Sequence, residues 1–199
     1  MSEPQPPPSG PRTPEPTGPQ RRLEPRITRP LAASLRQLLG PDMEALNTTV
    51  ASLATIGAGQ DEGDQRRVNG AREGATGLDE LFTSLTNAGV LGITPRENGS
   101  TFEFITQSSE SPPAGEVVLE GDDFRKFAVA LNHQVATQCN PLMLVEMVAN
   151  EALQEPAGSI VETTMAMNQK ILSLANAGGI KMTTDEEGNT TFSLLPLLP

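Results

Sequence analysis

The chain says nearly the same thing twice. LTNAGVLGITPRENGSTFEF, from Leu85 to Phe104, returns as LANAGGIKMTTDEEGNTTFSL, from Leu174 to Leu194. An offset of eighty-nine sets Leu78 on Met167, Phe82 on Ile171 and Leu85 on Leu174, the apolar positions of two helices. Asn87-Ala88-Gly89 falls unchanged on Asn176-Ala177-Gly178. A one-residue slip then brings Thr101-Phe102-Glu103-Phe104 onto Thr191-Phe192-Ser193-Leu194. Core positions, helix end and strand alternation repeat together, so the chain must build two units of one kind, each ending in a helix and a hairpin. Upstream the identities fade, and only a similar succession of helices remains.

Local signals fill in each unit. Pro30 is placed to open a helix over LAASLRQLL, Gly40 to break it, and Pro41 to restart it over 41–56, with Met43, Leu46, Val50, Leu53 and Ile56 on one face. The glycine-rich stretch 57–77 reads as a loop, although it is longer than compact domains usually hold. Thr76 resembles an N-cap with Asp79 as its partner, and Gly89 is placed to end the helix in a left-handed cap. Asn98-Gly99 marks a hairpin between VLGIT and TFEFI. In the second unit Asp122 or Asp123 is the expected cap of a helix bearing Phe124, Phe127, Leu131 and Val135. Asn140-Pro141 reads as a fresh helix start, and Ser159 to Glu162 as the capping box of the last helix. IKMTT and TTFSLL close a second hairpin around DEEGN.

The resulting division is a disordered, proline-rich arm over 1–29, a first unit over 30–106, a linker over 107–120 and a second unit over 121–199. Ten of the first thirty residues are proline, and only Leu23 and Ile27 there could serve a core. The fold class is mainly α with small β-hairpins in two repeated units. Each unit resembles a winged-helix domain in its last helix and hairpin. Leu85, Ala88-Gly89, Val90, Gly99 and Phe102 carry that resemblance in the first, and Leu174, Ala177-Gly178, Ile180, Gly188 and Phe192 in the second. The resemblance implies a further strand between the first two helices, which the sequence does not display.

Charge argues against the nucleic-acid binding such a fold often serves. The net charge of −11 divides into +3 over residues 1–36 and −14 over the rest. The outward positions of the candidate recognition helices carry Asp79, Glu80 and Glu162 with a single Lys170, the wrong sign for a groove. Phosphate contacts are expected only from the arm, through Arg21, Arg22, Arg26 and Arg29.

Catalytic and cofactor signatures are missing from the sequence. His133 is the sole histidine and Cys139 the sole cysteine, a pair better suited to structure than to catalysis. Gly57-Ala58-Gly59 lacks the continuation of a phosphate loop, and Asp61 to Asp64 lacks the ligand spacing of a calcium loop. No metal, cofactor or membrane span is expected, and no signal peptide is visible, which points to a soluble intracellular protein. Met143, Met147, Met165 and Met167 suit either core packing or an interface. The ending FSLLPLLP is more pointed: Leu194, Leu195, Leu197 and Leu198, interrupted by Pro196 and Pro199, must cover the body or dock on a neighbour. The expected function is therefore non-enzymatic: a self-associating or scaffolding protein, homo-oligomeric or part of a larger assembly. The alternative is a nucleic-acid-associated protein, coat-like or regulatory, acting through its arginine-bearing arm.

Overall fold

The structure is a computed structural model of the 199-residue chain and describes residues 21–58, 61–96, 99–107 and 111–197. Its order is β1 (Arg21–Leu23), α1 (Pro25–Gly57), α2 (Glu62–Asn87), β2 (Ala88–Arg96) and β3 (Gly99–Gln107), followed by β4 (Gly115–Glu120), α3 (Gly121–Met143), a 3-10 turn (Leu144–Met147), α4 (Glu151–Ala175), β5 (Gly179–Thr184) and β6 (Thr190–Leu195). Two antiparallel three-stranded sheets result, ordered β1-β2-β3 and β4-β5-β6. Each unit is therefore strand, helix, helix, hairpin, and the mainly α fold with repeated hairpins is as the sequence indicated.

The extra strand precedes the first helix of each unit, rather than lying between the two helices. Leu23 pairs with Leu91 and Leu119 with Ile180, each strand joining the first strand of its own hairpin. Equating these strands extends the repeat upstream at an offset of ninety-six. Buried Leu31, Leu35, Leu39, Met43 and Leu46 of α1 then correspond to buried Phe127, Leu131, Val135, Cys139 and Leu142 of α3. The second helices and hairpins keep the offset of eighty-nine: buried Leu78, Leu85, Leu91 and Ile93 match Met167, Leu174, Ile180 and Met182. The difference of seven residues lies in the helix connections: α1 runs ten residues past the point that matches the end of α3, and the α3–α4 connection, with its 3-10 turn, is three residues longer than the α1–α2 one.

Several local expectations are corrected. Residues 21–29 are not part of an arm: Leu23 is buried, and α1 already begins at Pro25, its N1 position. Gly40 does not break α1, which passes through both Pro30 and Pro41 because its apolar face is buried along its whole length. Lys170 Nζ donates to the carbonyl of Leu38 (3.2 Å), one turn ahead of Pro41, where a proline weakens the helical ladder. The expected loop 57–77 is mostly α2. Asp61 caps it, accepting from the backbone N–H groups of Gly63 (2.7 Å) and Asp64 (3.1 Å), so Thr76 lies inside the helix and caps nothing.

The second half differs in the same way. Residues 115–120 of the expected linker form β4, with Leu119 in the core. Glu120, not Asp122 or Asp123, stands at the N-cap of α3, which runs through Pro141 to Met143. Asn150 caps α4 by accepting from the Ala152 N–H (2.8 Å), so Ser159 falls within a helix already under way. Among the described residues Gly89 has no positive φ, and α2 passes straight into β2 through Ala88.

The four helices pack as neighbours in a ring, α1 against α2 and α4, and α3 against α2 and α4. Gly70 faces Pro141 while Gly77 faces Gln138, so α2 and α3 run antiparallel. Both sheets consequently lie at the end of the ring where α1 and α3 begin. One buried apolar cluster spans both units. Phe102 of the first hairpin meets Phe127 of α3 with ring centroids 5.7 Å apart.

Candidate functional site

The chemistry-bearing residues distribute over four places. The first is the seam between the units. Asp64, buried in the first turns of α2, holds the α3–α4 connection of the other unit. The N–H groups of Ala149 and Asn150 donate to its two carboxylate oxygens, each at 2.9 Å, and Arg67 Nη1 donates at 3.2 Å. The Ala149 N–H foremost, then Asn150 and Arg67, hold the Asp64 carboxyl below the usual carboxylate range against the opposing effect of burial. Lys170 bridges to Asp42 at 2.7 Å, and Arg21 Nε to Asp123 at 2.9 Å. All three contacts join one unit to the other.

The second place is the arginine group expected to hold phosphate. Arg21 and Arg22 lie on β1, Arg26 and Arg29 in the first turns of α1. Arg21 is tied to Asp123, Arg26 pairs with Glu24 at 3.2 Å, Arg29 is half-buried and Arg22 is exposed. A fixed strand and helix replace the mobile arm at these four positions.

The third is the end of β6. Leu194 sits in the strand opposite Ile180 yet stays 38% exposed, Leu195 is half-buried, and Leu197 beyond it is 63% exposed. Leu198 lies outside the described residues. The Gly178 N–H donates to the Leu195 carbonyl (2.8 Å), and the chain then crosses so close to Gly178 that a side chain there would strike the Pro196 carbonyl. The repeated Asn-Ala-Gly thus ends in a glycine that the tail requires. Leu144, Met147, Met165 and Leu172 are also exposed, whereas Met167 is buried and Met143 partly so.

The fourth was not legible in the sequence: a groove of about 800 Å³ between α1 and the C-terminal half of α2. Leu35, Leu39 and Met43 lie buried beneath it and Phe82 is partly exposed to it, while Arg36 and Glu44 of α1 and Asp79 of α2 are its charged lining. Neither carboxylate has an ion-pair partner among the described residues, and the side-chain amides of Asn47 and Asn87 are without hydrogen bonds there.

Cys139 is buried in the core, where desolvation pushes its thiol up to about 11, and His133 faces outward on the same helix. A nucleophile needs its thiolate, the form that this burial disfavours. Among the described residues no three His, Cys, Asp or Glu side chains gather closely enough to hold a metal ion, and no helix is long and apolar enough to cross a membrane. No protein-family model, no curated protein and no solved structure matches this chain.

Proposed function

We propose that this is a non-enzymatic, self-associating protein that builds or braces a larger assembly through the outer edge of its second sheet. The observation that carries the reading is the end of β6. Among the described residues it is an edge strand with one side of its backbone unpaired by any strand, it carries exposed Leu194, and it leads directly into exposed Leu197. Unpaired strand edges are templates for another chain, and soluble proteins usually blunt them with charge or cover. Here the edge strand carries no charged side chain over Thr190–Leu195. Pairing of two β6 edges about a twofold axis would bring the leucines of both copies together.

The nucleic-acid alternative draws on the winged-helix likeness of the last helix and hairpin in each unit. It has less support. Exposed α2 positions include Glu62, Glu73, Asp79 and Glu80 against Arg66 and Arg72, and the second hairpin turn carries Asp185, Glu186 and Glu187. Such surfaces repel phosphate.

Sedimentation velocity on the full chain tests the reading. Complete desolvation of a leucine is worth roughly 1.5–3 kcal/mol, so Leu194→Ser with Leu197→Ser should convert an oligomer to monomer while leaving the circular dichroism unchanged. A wild-type chain that is monomeric at high micromolar concentration would refute it.

A further inference from the structure

The outer groove between α1 and α2 has a counterpart between α3 and α4, and the repeat aligns the two position by position. At the offsets of ninety-six and eighty-nine, the three charged residues lining the first groove, Arg36, Glu44 and Asp79, fall on Asn132, Asn140 and Asn168. Three of its polar residues, Asn47, Thr48 and Thr83, fall on Met143, Leu144 and Leu172. Leu144 takes the place of Thr48 because the backbone is still helical there, one residue past α3. The second face is therefore uncharged where the first is charged, and apolar at three positions where the first is polar. Two further side chains extend it. Met165 lies seven residues, about two turns, before Leu172 on α4. Met147 lies three after Leu144 in the 3-10 turn, whose period of three puts both on one side. Leu144, Met147, Met165 and Leu172 are 49% to 62% exposed, while Val145, Met167 and Ile171 of the same segments fill the core. An exposed apolar cluster of this kind marks a contact surface.

We infer, on the basis of the β6 contact proposed above, that two copies also pack their α3–α4 faces together about a second twofold axis. A twofold contact closes at two copies, so an assembly larger than a dimer needs another. Charge selects a second copy as the occupant. Residues 37–199 carry −14, so two copies meeting through most other faces would bring carboxylates together. Here the facing groups are leucine, methionine and asparagine. An amide both donates and accepts, so it can pair with its own copy, whereas the carboxylates of the first groove would repel theirs. Size sets the strength. From Met165 to Asn176 the face is about 16 Å long and two helices are about 20 Å across, roughly 300–400 Å² per copy. A stable contact buries about 800 Å² per partner. The face alone is thus too small to hold two free chains, and the Leu194→Ser, Leu197→Ser chain stays monomeric. Two dimers joined through β6 can engage two such faces together, the second forming at the effective concentration set by the first. Since β6 packs on α1 whereas the face belongs to α3 and α4, one chain can hold both contacts.

Sedimentation velocity over a concentration series separates the two contacts. The wild-type full chain should exceed the mass of a dimer at high micromolar concentration. Leu144→Glu with Leu172→Glu should stop at the dimer. Leu144→Asn with Leu172→Asn, which adds no charge, should raise the concentration needed for growth past the dimer by roughly tenfold or more. Thr48→Glu with Thr83→Glu, at the matching positions of the first unit, should sediment as wild type. All four positions are exposed, so circular dichroism should be unchanged in every variant. A wild type that stops at the dimer, or leucine variants that grow as it does, would overturn the inference and leave the β6 contact standing. Equal loss of growth in the Thr48→Glu, Thr83→Glu chain would overturn it too, since the effect would then belong to added charge and not to the face. A monomeric wild type would instead refute the β6 contact, and the second contact with it.

Discussion

Asp64 is the residue on which the two units most visibly depend. A carboxylate buried at the start of α2 is tolerated because two backbone donors and Arg67 satisfy it, and because the helix N-terminus favours negative charge there. Its folded pKa lies below 3.8, the value it takes on in the unfolded chain. The unfolded state therefore binds the proton first as pH falls. The stabilisation is fully present above about pH 4 and disappears as pH drops toward the folded pKa. Asp64→Asn must turn an amide N–H₂ toward one of the donors, so we expect a lower urea midpoint at pH 7. The gap between variant and wild type should narrow at pH 3, because the wild type alone loses its advantage. Equal midpoints at pH 7 would show that the carboxylate is incidental. Sequence alone could not disclose this residue: Asp61-Glu62-Gly63-Asp64 reads as a solvated acidic run, and its partners lie eighty-five residues away.

At the scale of elements, the structure divides what sequence patterns could reveal from what they could not. The last helix and hairpin of each unit were legible because core spacing, Asn-Ala-Gly and strand alternation coincide. The start of α2 was hidden by Gly70, Gly74 and Gly77, which look like loop residues but line its contact with α3. A side chain at Gly74 would come within 2.6 Å of the Gln138 carbonyl, so these glycines serve close approach between helices. The short strands β1 and β4 were hidden because each contributes a single fully buried side chain, Leu23 and Leu119, within polar or proline-rich surroundings. The kinship of α1 and α3 was hidden because it preserves burial and not identity, with Leu31 against Phe127 and Met43 against Cys139. Two glycines of α2 and α4 should respond oppositely to one substitution. Gly74→Ala gains about 1 kcal/mol of helix propensity but overpacks the α2–α3 contact, for a net loss of roughly 1–2 kcal/mol. A side chain at exposed Gly158 of α4 meets nothing within 4 Å outside its own helix backbone, so Gly158→Ala should stabilise by about 0.5–1 kcal/mol. Chemical denaturation of both variants checks the signs; a stabilising Gly74→Ala would mean that the two helices are not in close contact.

The whole molecule poses a different question, whether two repeated units behave as two domains. Similar sequence would allow it, and 107–120 was expected to be a linker between them. The contacts argue otherwise. Each first helix packs on the second helix of both units, the Phe102–Phe127 pair and the Arg21–Asp123 and Lys170–Asp42 bridges cross the boundary, and Asp64 caps the connection of the opposite half. Neither unit could open without exposing apolar surface on the other. Unfolding should therefore be a single transition. At roughly 0.7 kcal/mol per residue near 60 °C, a cooperative body of about 170 residues carries an unfolding enthalpy of roughly 120 kcal/mol. Differential scanning calorimetry compares that heat with the van't Hoff value drawn from the steepness of the transition. One body gives a ratio near unity, whereas two independent halves would each unfold with roughly 60 kcal/mol and give a van't Hoff value about half the measured heat. The measurement belongs at low protein concentration and with the Leu194→Ser, Leu197→Ser variant, since association would sharpen or shift the transition by mass action. A ratio near one half under those conditions would mean that the shared core does not couple the repeats.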